Sequence, residues 1–407
     1  MSEECINSVG RGDIFNSLFT MDAAQASATP VLAIPAAGSW NFGTAASGDA
    51  RALELLSAFM PQLQRLSHMK IVFDCGGEGF VWSTAEHDYL TQRLGEMGLS
   101  TDRVFLLTSR IDPQYAYLEW CRRAVRAPVL THLYSPVQLY YCAGIHRQSW
   151  TIEKMEALIK ERSPFSSAGK SLRDKNYLCL NYSPREGRYA AALELLDKGL
   201  LGNGLVSFYG RAINNGHLDP PPALDTIANW LRVLKVEEQY IARLDELDAM
   251  CPITLDDPMA DRMEKAYGVS DQDFYAKTYL SVVTESDFFG QAGPRFTEKV
   301  LKPMANLHPF VVVGTQFILR DLKRLGFQTF APLIDESYDS IEDPARRLRA
   351  AMDEVCRLAS MSRYELHAIY EQLWPRLLHN YLHFYVASSD LLDDDNGFKP
   401  LFSPTAS

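Results

Sequence analysis

No run of about 18 apolar residues exists in the sequence, which excludes a membrane-spanning helix from the readings. The start, "MSEECINSVGRGDIF", lacks the charged-then-apolar order of a secretory leader, so a cytoplasmic protein is expected. Paired cysteine spacings are missing too. The seven cysteines (Cys5, Cys75, Cys121, Cys142, Cys179, Cys251 and Cys356) are scattered and odd in number, never spaced as Cys-x-x-Cys, which argues against a disulfide framework and against a zinc site. Positive charge is scarce: 40 Lys and Arg against 51 Asp and Glu leave a net charge of −11. A broad basic surface for nucleic acid or an anionic membrane is therefore disfavoured, whereas one basic pocket for a small anionic ligand is compatible with it. Internal repeats and low-complexity tracts are also missing.

What remains is ordinary soluble composition, 47% hydrophobic and 22% charged over 407 residues, enough for about two domains. Residues 1–28 are small and polar and read as a loose arm. Strand patterns at 30–40, 69–80, 102–109 and 127–136 then alternate with helical periodicity at 49–66, 85–97 and 115–125. That alternation marks a parallel sheet covered by helices. The Ser-, Lys- and Arg-rich stretch 159–176 reads as a linker, after which "YLCLNYSPREGRYAAALELLDKGLL" (177–201) restarts the pattern. A helical region over 224–250 follows, then strands at 278–284 and 309–314 and a helix at 315–326. A helical tail runs from 342 to about 386, with Pro375 as the expected kink. The expected domains are 29–165 and 166–345, both α/β, with C-terminal helices over 346–386 and a polar tail at 387–407.

Four motifs fail on inspection. "AGKS" (168–171) ends like a P-loop, but Pro164 stands where the first glycine belongs. "GNGLVS" (202–207) leads into a strand, not out of one, and is a turn. "HNYLH" (379–383) puts two histidines at i and i+4, yet Asn380 replaces the glutamate of a zinc protease. "DLLDDDNG" (390–397) misses the calcium-loop spacing. No metal ligand is expected, and no cofactor.

Two sites survive. In "NYSPREGR" (181–188) a turn after a strand opens a helix and presents Arg185 and Arg188 where backbone N–H groups and the helix dipole already favour an anion. Phosphate is the natural guest. In "GPRFTEKVLKPMANLHPFVVVG" (293–314) Thr297 can cap a helix whose first turn holds Glu298 and Lys299, while Glu285 ends the preceding strand. Such a carboxylate can accept from a ribose, and the ammonium can meet a diphosphate. The same residues would equally serve as plain caps and a surface lysine. In the first half, "FDCGGEGF" sets Asp74 and Glu78 at a strand end where glycines let a substrate approach, making Glu78 the candidate base. His132 is an alternative base, Trp40 in "SWNFG" a possible stacking platform, and "DESYD" (335–339) a possible nucleotide contact.

The stretches "YLSVVTESDFFGQAGPRFTEKVLKPMANLHPFVVVG" (279–314) and "LNYSPREGR" (180–188) together resemble the donor-binding motifs of the α-1,3/4-fucosyltransferases. That family has a strand ending in Glu-Asn-Ser, then Thr-Glu-Lys, a helix and a Pro-Val-Val-x-Gly strand; its asparagine is Ser286 here. The resemblance covers roughly 180–340. It implies a GT-B architecture: two Rossmann-like domains facing across a cleft, with the last helices crossing back. It further implies an inverting, metal-independent hexosyl- or fucosyltransferase-like enzyme whose partner is a nucleotide-diphosphate sugar. Glu298 would contact the ribose, Lys299 and Arg188 the diphosphate, and Glu285 would brace the site. The acceptor is left open among a glycan, a small molecule, a protein and a modified nucleic acid. Two alternatives stand beside this reading: a glycosyltransferase acting on a hydroxylated DNA base, and a non-catalytic binder of sugar nucleotides.

Overall fold

The computed structural model describes residues 31–35, 51–67, 69–75, 82–108, 113–134, 151–166, 171–212, 221–255, 272–289 and 296–393. The chain forms two compact units, the first built from residues up to Tyr141 together with 291–293 and 387–407, and the second from 142–290 and 294–386.

In the first unit the strands are β1 (Val31–Pro35), β2 (Lys70–Cys75), β3 (Val104–Thr108) and β4 (Thr131–Tyr134). All pair in parallel, in the order β1-β2-β3-β4, with Val31 opposite Lys70, Ile71 opposite Val104 and Phe105 opposite Thr131. The strands are short apolar runs because both faces are covered. Leu53 and Leu56 of helix α1 (Arg51–Ala58) belong to the core around the sheet residues Ile34, Phe73 and Leu106. A short helix, α2 (Met60–Arg65), follows α1. Leu90 and Leu94 of α3 (Thr84–Glu96), with Tyr117 and Cys121 of α4 (Pro113–Ala124), complete that core. Helix α3 starts where the sequence says it should: Ser83 Oγ accepts from Glu86 N at 3.1 Å while Ser83 N donates to the Glu86 carboxylate at 3.2 Å, a reciprocal cap.

The second unit holds β5 (Lys175–Asn181), β6 (Gly204–Phe208), β7 (Thr278–Thr284) and β8 (Phe310–Val313), again all parallel. Here the order is β6-β5-β7-β8. From β5 the chain crosses to β6 on one side, then passes back to lay β7 and β8 on the other. The order therefore reverses between β5 and β7, the place where open parallel sheets bind ligands at their C-terminal ends. Among the described strands of the first unit there is no such reversal. Two Rossmann-like α/β units are thus present, as expected.

Helix α5 (Ile152–Arg162) belongs to the second unit, and its last turn occupies the start of the stretch that reads as a linker; β5 occupies the end of it. Helix α6 (Glu186–Asp197) follows β5, and nearly all of its residues from Gly187 to Leu195 are buried. The region 224–250 is three helices, α7 (Leu224–Val233), α8 (Glu238–Ile241) and α9 (Leu244–Met250). A short α10 (Gln272–Lys277) leads into β7, α11 (Glu298–Met304) precedes β8, and α12 (Ile318–Arg324) follows it. The described residues end in α13 (Pro344–Ala359) and α14 (Arg363–Asp393), the latter running on through Pro375.

Gly204, part of the failed dinucleotide motif, has a packing reason. A Cβ there would lie 2.4 Å from the Tyr177 ring, and Tyr177 is fully buried with its hydroxyl donating to Leu200 O at 3.0 Å. The ring has nowhere to go. Gly204→Ala is expected to destabilise the second unit by about 1–3 kcal/mol, read as a lowered denaturant midpoint with no change in slope.

Candidate functional site

The C-terminal ends of β5 and β7 are stitched together by one residue. Asn181, the last of β5, is buried; its Oδ1 accepts from Thr284 Oγ1 on β7, and its Nδ2 donates to Cys179 Sγ at 3.2 Å. Its backbone N–H donates to Ser207 Oγ of β6 at 3.3 Å. Three strand ends are tied at the point of reversal.

After Asn181 the chain turns into α6. Arg185 occupies the position just before the helix in an extended conformation (φ −145°, ψ 151°), makes no side-chain cap, and is half-buried. Arg188 lies inside the first turn, only 4% exposed, with Nη1 donating to Ser183 O at 2.8 Å. It braces the turn it follows. Gly187 between them packs under the next loop: a Cβ there would stand 3.4 Å from the Phe288 ring.

At the end of β7, Glu285 continues the ladder, its N–H donating to Val313 O at 2.9 Å. Its side chain is buried and accepts twice from Thr297, from the backbone N–H at 2.9 Å and from Oγ1 at 2.7 Å. Burial pushes the Glu285 carboxyl above its usual range, with the nearby Glu298 adding to the effect and the Lys299 ammonium and the Thr297 hydrogen bonds opposing it. Thr297 in turn caps α11, Oγ1 accepting from Lys299 N at 3.4 Å and from Lys299 Nζ at 3.1 Å. Lys299 Nζ also donates to Glu298 Oε1 at 2.6 Å. Glu298 is mostly buried, which raises its pKa, but the Lys299 ammonium and hydrogen bond, with Lys302 beyond, outweigh burial and hold it below the usual range. Glu285, Thr297, Lys299 and Glu298 thus form one connected chain of charge-assisted hydrogen bonds.

Space for that chain depends on Gly314, at the end of β8. A Cβ there would lie 3.2 Å from Glu285 Cβ and 2.8 Å from Ile318 Cδ1. Arg347 of α13, buried, then fastens the loops around it: Nε donates to Gly314 O at 3.0 Å, Nη2 to Phe288 O at 2.9 Å and Nη1 to Ile341 O at 2.8 Å.

The structure therefore brings Arg185 and Arg188 to one side of the reversal point and Glu285, Thr297, Glu298 and Lys299 to the other, linked by the Asn181–Thr284 bond and the Gly187–Phe288 contact. Sequence reasoning missed Asn181 and Arg347. The signals were present: a polar residue closing the apolar run "YLCLN", and an arginine in register with the buried positions Ala351, Glu354 and Leu358 of α13. Glu78 and Trp40 lie outside the described residues, as does the side chain of Asp74.

Three other readings resolve into scaffold. In "DESYD", Asp335 accepts from Ser337 N at 2.8 Å, Glu336 from Thr329 Oγ1 at 2.7 Å, and Asp339 from Leu319 N and Arg320 N at 2.9 and 3.0 Å. The segment holds its own loop and the start of α12. His379 and His383 stack on α14 and face the carbonyls of Gly326 and Leu325, at 2.9 and 2.6 Å, just past the end of α12. They cap a helix C-terminus.

His132 is a core residue, not a base. It is buried, stacks on Tyr117 at 4.1 Å between ring centres, and its Nε2 accepts from Trp82 Nε1 at 2.9 Å. Burial drops its pKa to about 3, with His87 adding to the fall and a bond to the Leu130 backbone opposing it. A histidine held below its unfolded pKa of 6.5 contributes stability that is present above pH 6.5 and is lost as pH falls toward 3. The first unit is expected to lose about 1.4 kcal/mol per pH unit from this residue below pH 6. Denaturant titrations at pH 7 and pH 5 should show it, and His132→Gln should flatten the dependence.

No family model and no curated protein matches the chain. Among solved structures it is similar to the crystal structure of an α,α-trehalose-phosphate synthase (UDP-forming) from Burkholderia vietnamiensis, at 13% identity, covering 84% of this chain and 76% of that one with a TM-score of 0.38.

Proposed function

We propose that the protein is a glycosyltransferase of GT-B type that moves a sugar from a nucleotide-diphosphate sugar to an acceptor hydroxyl, with inversion and without a metal. One observation carries the reading: two strand-to-helix turns, one bearing Arg185 and Arg188 and the other Glu298 and Lys299, meet at the reversal point of a parallel sheet. Glu298 is suited to a ribose hydroxyl, and Lys299 with the arginines to a diphosphate. Glu285 supports both by holding Thr297.

The departing nucleoside diphosphate carries negative charge that must be offset as the glycosidic bond breaks. Fixed cations in a partly buried site do this without reorganising. In the free protein the Lys299 ammonium already rests on Glu298, at 2.6 Å, so it is pre-positioned and its desolvation is already offset. An arriving phosphate competes with Glu298 for it and releases that carboxylate to accept elsewhere. The acceptor hydroxyl needs a base, for which Glu78 remains the candidate.

A panel of nucleoside diphosphates and nucleotide sugars tests the reading through thermal stabilisation, because a ligand specific for the native state raises the midpoint. One nucleotide series is expected to stabilise the protein, and its sugar conjugate to release nucleoside diphosphate when acceptors are supplied. A panel with no stabilising member would reject the proposal; stabilisation without turnover over a wide acceptor set would favour a binder of sugar nucleotides.

A further inference from the structure

The hydroxyl of Thr297 has no bonding capacity left in the free protein. Its one hydrogen goes to Glu285 Oε2 at 2.7 Å, and its two lone pairs accept from Lys299 N at 3.4 Å and Lys299 Nζ at 3.1 Å. Glu285 Oε1 accepts the Thr297 backbone N–H at 2.9 Å, so both carboxylate oxygens accept and neither donates. That is the bonding pattern of the ionised acid. Thr297 and Glu285 are both buried, whereas the Lys299 ammonium, which also holds Glu298 at 2.6 Å, is the partner within reach of solvent.

A phosphate oxygen drawn to Lys299 Nζ arrives beside this hydroxyl. Two oxygens with only lone pairs between them repel, and Thr297 has already given its hydrogen to Glu285. If that hydrogen turns to the phosphate, Glu285 Oε2 loses its donor in a buried place, where an unpaired carboxylate oxygen is costly. A proton on Oε2 resolves both: Glu285 then donates to Thr297 Oγ1, into the lone pair that Lys299 Nζ vacates, while Oε1 keeps the Thr297 N–H. Burial already pushes the Glu285 carboxyl above its usual range, with Glu298 adding to the rise and Lys299 and Thr297 opposing it, and a further anion acts in the same upward sense. The other charged groups nearby are engaged elsewhere. Lys302, further along α11, acts on Glu298; Arg347 of α13 is held by four backbone carbonyls, with Asp287 near it; Arg188 of α6 donates to Ser183 O.

We propose that Thr297 is a phosphate-binding residue switched by Glu285: as the diphosphate draws Lys299 away, Glu285 takes one proton from solvent and the Thr297 hydroxyl reverses to donate to a phosphate oxygen. The inference rests on the nucleotide-sugar reading above and adds to it a proton that enters with the ligand. No covalent bond other than this O–H forms or breaks. Glu298 keeps its charge, because a ribose hydroxyl donates to it once Lys299 has turned to the phosphate. Affinity for the nucleotide sugar therefore falls as pH rises, by up to about tenfold per pH unit where one full proton is taken up.

Titration calorimetry of the full chain with the nucleotide sugars of the panel, UDP-glucose and GDP-mannose among them, counts the protons when run in two buffers of unlike ionisation enthalpy. A nucleotide sugar suits the count because its diphosphate is esterified at both ends and has no group titrating near neutrality, unlike the terminal phosphate of a nucleoside diphosphate. The sugar nucleotide that binds is expected to bring close to one proton with it, and its dissociation constant to rise steadily between about pH 6.5 and about pH 8. Glu285→Gln fixes the reversed pattern, its amide N–H donating to Thr297 Oγ1 and its carbonyl accepting from Thr297 N. That variant should bind without proton uptake, with an affinity that is flat in pH and above wild type at about pH 8; Glu298→Gln should keep the uptake. A wild type that binds with no proton and no slope, uptake that persists in Glu285→Gln, or a Thr297→Val variant that binds as wild type does overturns the proposal. Each of those results retains nucleotide binding and so leaves the glycosyltransferase reading standing, whereas a panel in which no nucleotide sugar binds rejects that reading and this inference together.

Discussion

Lys299→Ala is expected to weaken binding of the stabilising nucleoside diphosphate by about 1.5–3 kcal/mol, roughly ten- to a hundredfold in dissociation constant, as measured by titration calorimetry. The size follows from losing a charge-assisted contact in a site where Lys299 has only 23% of its side chain exposed. Folding should survive, because Glu298 is released from its partner but can take up a proton. The arginines give a useful contrast. Arg185 is half-exposed and makes no cap, so Arg185→Ala should lower affinity without moving the thermal midpoint. Arg188 donates to Ser183 O, so Arg188→Ala should lower both. Unchanged nucleotide affinity in the lysine and both arginine variants would remove the site assignment.

The second large effect lies at Glu285. Glu285→Ala leaves Thr297 N–H and Oγ1 without the acceptor they share and opens a buried gap, and about 2–4 kcal/mol of stability is expected to go with it, along with nucleotide binding. Glu285→Gln keeps one acceptor oxygen and should cost much less. The two variants also separate a titration effect from a contact effect. Because the folded-state pKa of Glu285 is raised, its contribution is fullest below the ordinary glutamate pKa of 4.5 and declines as pH rises through the folded value. Glu285→Gln should remove that part of the pH dependence and leave the acid loss attributed to His132 in place.

The elements of both sheets were legible because each strand is a short apolar run bounded by turn residues. The spans 278–284 and 309–314 match β7 and β8 almost residue for residue, and 102–109 matches β3. Periodicity overran where the stop signal was unusual: α7 is terminated by Lys235 in a left-handed conformation (φ 53°), so no glycine divided 224–250 into its three helices. The linker reading of 159–176 failed for a related reason. Polar composition there hides the last turn of α5, with Arg162 buried, and the first residues of β5.

For the site, the charged residues were legible and their supports were not. Arg185, Arg188, Glu298 and Lys299 announce themselves by following strands and opening helices. That β6 lies on one side of β5 and β7 on the other is a long-range fact carried by no local pattern, and it alone sets the two turns side by side. Asn181 acquires its meaning only once Thr284 is its neighbour across that boundary. Arg347 acts from more than thirty residues beyond Gly314, through four backbone carbonyl groups that no sequence motif records.

Amide hydrogen exchange, run with and without the stabilising nucleoside diphosphate, reads the occupancy of the two turns, since a bound phosphate there must slow the amides that face it. New protection is expected to concentrate in residues 183–188 and 297–300, with the exposed face of α4 unchanged. Protection confined to other parts of the chain, with both turns exchanging as in the free protein, would contradict it.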